Sequence, residues 1–97
     1  MVLNKMVGLF QVEIYIPGSL SLKEKRFVVK SVKDRLRNRF NVSVAELDGS
    51  DTWQRSLLGI ALVSNDHQLI ESSFNKILAM LDSDDRFEVV DRQIEYF

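Results

Sequence analysis

Ninety-seven residues, 45% of them hydrophobic, suffice for one domain around one core (residues 1–97) and leave no room for a second. The lack of cysteine excludes disulfides, thiolate metal sites and a cysteine nucleophile, and one histidine is too few for a zinc site. The formal net charge of −1 hides a strong segregation of charge along the chain. No stretch reaches the roughly 18 consecutive apolar residues of a membrane span, and the N-terminus has no signal-peptide pattern, so a cytoplasmic chain is expected.

Met6 to Ile16 alternates with period two, placing Phe10, Val12, Ile14 and Ile16 on one face and Leu9, Gln11, Glu13 and Tyr15 on the other. That is a strand, ended by Pro17-Gly18. Ser21 and Glu24 then form a capping box, in which the Ser21 hydroxyl accepts from the Glu24 amide and the carboxylate reaches back to the Ser21 amide. A helix is therefore predicted from Leu22 to Phe40. Leu22, Val29, Val32, Leu36 and Phe40 fall on one side of it with Val28 at the edge, while Lys23, Arg26, Lys30, Lys33 and Arg37 recur on the adjacent shoulder. Lys23 to Arg39 holds eight basic and two acidic residues, a net +6, against −7 for the rest of the chain.

Asn41 is a candidate left-handed cap, and Val42 to Leu47 reads as a second strand. Asp48 to Ser56 is polar apart from Trp53 and is the longest connection. Leu57 to Val63 is an almost unbroken apolar run, the pattern of a strand covered on both faces. Ser64-Asn65-Asp66 supplies N-cap candidates, Asn65 with Gln68 resembling a capping box, before a second helix carrying Leu69, Ile70, Phe74, Ile77, Leu78 and Leu81. It ends near the carboxylates of Asp82 to Asp85, and Phe87 to Phe97 forms the last strand. The order βαββαβ is the ferredoxin-like α+β arrangement: a four-stranded antiparallel sheet with both helices on one face. Right-handed crossovers put the first and third strands in its centre.

The basic stripe spans about 21 Å of helix, a reach that matches several backbone phosphates. The plainer reading is a solvated shoulder whose cations pair with acids of the same molecule. Trp53 can stack on a base or, with Arg55, anchor a partner, or it can fold back as a lid on the core. His67 is expected to be a solvated residue in the first turn of its helix, and Asp82, Asp84 and Asp85 a solvated turn without the spacing of a calcium loop. No Walker loop, dinucleotide fingerprint or nucleophile elbow is present, so no catalytic residue, metal or cofactor is assigned.

Several stretches resemble the YlxP-like family, small bacterial proteins of uncharacterised function: Ile16-Pro17-Gly18, Ser21-Leu22-Lys23-Glu24-Lys25-Arg26, Phe40 to Glu46, Asp51 with Trp53-Gln54-Arg55, and Ser64-Asn65-Asp66. The resemblance implies a ferredoxin-like fold, no established activity, and genes that tend to lie among those for translation and RNA metabolism. The N-terminus runs a few residues longer than the family pattern, and Phe27 stands on the polar side of the helix where a small or polar residue is expected.

The expected function is a non-catalytic accessory protein binding RNA or the ribosome through Lys23, Arg26, Lys30, Lys33 and Arg37. The competing expectation is a homo-oligomeric protein-interaction or small-ligand-binding module. A homodimer through the open sheet face is expected because neither set of the third strand, Leu58, Ile60 and Leu62 or Gly59, Ala61 and Val63, holds a polar residue. Leu9, Tyr15 and one set from the last strand (Phe87, Val89 and Phe97, or Val90, Ile94 and Tyr96) would extend that patch. With Gly59 and Ala61 outermost, it would instead be shallow and solvated.

Overall fold

Alternation along β1 (Met6–Tyr15) decides where the core lies. Gly8, Phe10, Val12 and Ile14 are buried on one face, continued by Ile16, while Leu9, Gln11, Glu13 and Tyr15 are half-buried on the other. The computed structural model describes residues 5–49 and 52–97, so the extended N-terminus and Asp51 lie outside the described residues. After β1 come α1 (Leu22–Arg39), β2 (Ser43–Asp48), β3 (Arg55–Ser64), α2 (His67–Asp82) and β4 (Glu88–Tyr96). The sheet order is β2-β3-β1-β4 with every pairing antiparallel, so the first and third strands are central, as in a ferredoxin-like fold.

β3 starts two residues earlier than its apolar run suggests, because Arg55 and Ser56 both pair into the sheet, opposite Tyr15 and Ile14. Ser56, Leu58, Ile60 and Leu62 face the helices, and Leu57, Gly59, Ala61 and Val63 form the outer row. The two smallest residues therefore lie outermost, and a Cβ on Gly59 would meet Leu47 Cδ1 at 2.7 Å, so Leu47 covers this dip. β4 departs from both alternatives for its apolar set. Its register turns Asp91, Gln93 and Glu95 to the open face beside Glu13, Gln11 and Leu9, because an irregularity at Val90 shifts the alternation. Ile94 and Tyr96 lie on the helix side, Phe87 is buried in the core, and of the apolar residues expected from the last strand only Phe97, paired with Val7, continues the open-face patch alongside Leu9.

α1 begins as its capping residues dictate. The Glu24 amide donates to Ser21 Oγ at 3.1 Å, but the Glu24 carboxylate accepts from the Leu20 amide at 2.5 Å, one residue before the expected donor. At its other end Phe40 is extended and no non-glycine among the described residues has a positive φ, so Asn41 is not a left-handed cap. α2 is capped by Asp66, which accepts from the amides of Gln68 and Leu69, rather than by Asn65. Its buried side holds Ile70, Phe74, Ile77, Met80 and Leu81, while Leu69 is 50% exposed. This helix approaches β1 so closely that a Cβ on Gly8 would lie 2.5 Å from Ile70 Cγ2 and 2.8 Å from Phe74 Cε2.

Candidate nucleic-acid interface

The eight cations of α1 separate by helical phase. Lys25 shares the buried side with Val29, Val32 and Leu36 and is fully buried. Its ammonium lies 2.9 Å from Glu46 Oε2 on β2 and donates to the Gly49 carbonyl, while Ser56 Oγ donates to the same carboxylate oxygen at 2.5 Å. Charge, hydroxyl and carbonyl satisfy one another, as burial of a lysine requires. On the opposite flank Arg35 Nη1 reaches Asp84 Oδ2 at 3.1 Å, and Arg86 binds the same carboxylate through Nη2 at 2.7 Å and Nε at 2.9 Å. The Arg86 guanidinium also lies 3.3 Å from Ser31 Oγ.

Asp84 is consequently not part of a solvated turn. Its side chain is only 6% exposed, and the hydrogen bonds from Arg86 hold its carboxyl below the ordinary range while raising the guanidinium in return. Arg35 and Arg86 draw it inward and so tie the α2–β4 turn to α1.

The five predicted stripe residues remain together on the flank beside the β2 edge. Arg37 Nη2 donates to the Val44 carbonyl there at 2.8 Å, which also guards the free strand edge. Lys30 pairs with Asp34 at 2.7 Å in a solvated contact, and this hydrogen bond lowers the Asp34 carboxyl. Among the described residues, Lys23, Arg26, Lys33 and Arg39 form no ion pair. Phe27, on the outward side between Lys23 and Lys30, is 73% exposed.

Trp53 is not a lid on the core, being 54% exposed. Its loop is nonetheless held: Gln54 Nε2 donates to the carbonyls of Ser19 at 3.3 Å and Pro17 at 3.4 Å, and the Gln54 carbonyl accepts from the Ile16 amide at 2.7 Å. Gly49, with φ of +87°, accepts from the Thr52 amide, and a Cβ there would lie 2.6 Å from the Arg55 carbonyl oxygen. Arg55 pairs with Glu13 at 2.6 Å across the open face of the sheet. His67 is half exposed, its ring 4.6 Å from that of Tyr96.

Charge alone groups Lys25 with the other helix cations, although its spacing of four, seven and eleven from Val29, Val32 and Leu36 places it on the buried side. Nothing in the local pattern selects Glu46 and Ser56 as its partners. They meet it only because β2 and β3 pair beneath α1.

Fold and site together define a ferredoxin-like domain whose first helix bears a flank of exposed cations beside a sheet edge. The chain belongs to the family described as "Protein of unknown function (DUF503)", which matches residues 7–94. It is similar to the "Uncharacterized protein YlxP" of Bacillus subtilis (strain 168), at 40% identity over 92 residues that cover 95% of this chain and 100% of that protein. Among solved structures it is similar to "De novo designed protein Foldit4", with a TM-score of 0.55 and 14% identity over 96% of each chain, a likeness of fold alone.

Proposed function

We propose that this domain is a non-catalytic accessory module that binds RNA, free or in the ribosome, through Lys23, Arg26, Lys30, Lys33 and Arg37. The observation that carries the reading is the exposed flank itself: of the eight α1 cations, Lys25 and Arg35 serve the fold, while Lys23, Arg26, Lys30 and Arg37 are exposed and Lys33 is half-buried beside them. The solvated Lys30–Asp34 pair contributes little and gives way to a phosphate at small cost. The open sheet face is a poor alternative for RNA, because Glu13, Asp91 and Glu95 lie on it and repel phosphate. Recognition by the helix flank is then by shape and charge, with weak sequence preference.

RNA affinity measured against salt tests this for the wild type and a Lys30→Glu, Lys33→Glu pair. The pair is expected to bind more weakly, with the log–log slope flattened by roughly 0.7 to 0.9 for each lost phosphate contact. No binding at low salt, or equal binding by the pair, rejects the reading.

The competing interaction-module reading is favoured by one observation, the open-face corner of Val7, Leu9, Ala61, Val63 and Phe97, in which Val63 is 67% and Phe97 69% exposed. Under that reading two copies bury this corner about a two-fold axis. Sedimentation equilibrium at micromolar concentration decides it, since a species that stays at monomer mass excludes the dimer.

A further inference from the structure

We infer that the RNA bound by this domain is single-stranded, with an unpaired base stacked on Trp53 while its phosphates run onto α1 at Lys23 and Arg26. This deepens the proposed RNA reading and rests on it.

Trp53 is the only tryptophan of the chain, and leaving about half of so large an apolar surface in water is unfavourable. Its loop is nevertheless held by the bonds from Gln54 to Pro17 and Ser19, and by Lys25, which holds the Gly49 carbonyl from inside. The Gln54 bonds tie the loop to the segment that leads into α1, and the Lys25 bond ties Gly49 to the first turn of α1, whose exposed residues include Lys23 and Arg26. Leu20 next to that turn is 72% exposed and Phe27 one turn on is 73% exposed, so apolar and cationic groups are interleaved there.

Held aromatic faces next to cations form a stacking platform with an electrostatic track. A duplex cannot use it, because its base faces are occupied by their neighbours in the stack, whereas an unpaired base offers a free π-face. An acidic protein segment would meet the cations but would have no planar group for Trp53.

Because Trp53 is the only tryptophan, its fluorescence reports the contact directly. The full chain is titrated with an oligouridylate of about twelve nucleotides, the order of one single-strand site, with an RNA duplex of similar length, and with inorganic polyphosphate. Strong quenching by the oligouridylate alone is expected. Trp53→Ala should weaken oligouridylate binding roughly five- to hundred-fold, with Trp53→Phe retaining most of the affinity and duplex binding unchanged. Equal quenching by polyphosphate, or an alanine variant that keeps wild-type affinity or loses both RNAs alike, overturns the inference while RNA binding itself stands. If neither RNA binds at low salt, the proposed function fails and the inference falls with it.

Discussion

α2 docks on the sheet through five apolar residues, Ile70, Phe74, Ile77, Met80 and Leu81, with Gly8 letting it sit close upon β1. α1 covers the same sheet face with only Val29, Val32 and Leu36 as buried apolar residues, and with Lys25 beside them. Two polar networks compensate, Lys25 with Glu46 and Ser56 on one flank and Asp84 with Arg35 and Arg86 on the other. A helix anchored by charge can carry a high density of cations, because part of that charge is neutralised in the structure and the rest can face outward. α2, anchored by interdigitating apolar groups, needs no such balance and has a single Lys, Lys76.

The largest expected effect follows from removing the buried cation. Lys25→Met should destabilise the domain by about 3 kcal/mol, because Glu46 then lies partly buried without a counter-charge. Chemical denaturation measures this, and Lys25→Met with Glu46→Leu should recover a large share of the loss. A neutral single variant would mean that α1 does not depend on the ion pair.

On the other helix, Gly8→Ala should cost about 2 kcal/mol, since the new methyl meets the branched Ile70 side chain and the rigid Phe74 ring. A smaller cost of Gly8→Ala in an Ile70→Ala background, which removes the Cγ2 methyl, would show that steric fit sets the position of α2.

A smaller effect is expected at Asp84, where Asp84→Asn should lose about 1 to 2 kcal/mol near neutral pH. The Arg86 hydrogen bonds lower the Asp84 carboxyl, so the folded state holds its proton less tightly than the unfolded chain does. That contribution is complete above the ordinary aspartate pKa of about 4 and disappears as pH falls through the lowered value. Thermal melts of the two proteins should therefore converge in acid. A gap of constant size down to about pH 2 would show that Asp84 acts by shape rather than by charge.

The smallest change in stability is expected for the Lys30→Glu, Lys33→Glu pair, within about 0.5 kcal/mol, since Lys30 is exposed in a solvated pair and the half-buried Lys33 forms no ion pair among the described residues. A large loss would place the stripe among the anchors of α1 and remove it as a free surface.

Periodicity and capping residues alone were enough to determine the element order, the buried face of β1, the apolar seam of α1 and the basic stripe, and the handedness of crossovers added the central position of the first and third strands. These follow from local geometry, which repeats every two residues in a strand and every 3.6 in a helix. The bounds of β3 were hidden because Arg55 and Ser56 are polar, and they join the strand only through pairing with β1. Tertiary structure alone decided which cations remain free, since Lys25 meets Glu46, and Arg35 meets Asp84 49 residues away, only after the helix lies on the sheet. It also decided the open face. The irregularity at Val90 that turned Asp91, Gln93 and Glu95 outward arises from the register between β4 and β1, a relation between distant segments that no local period records.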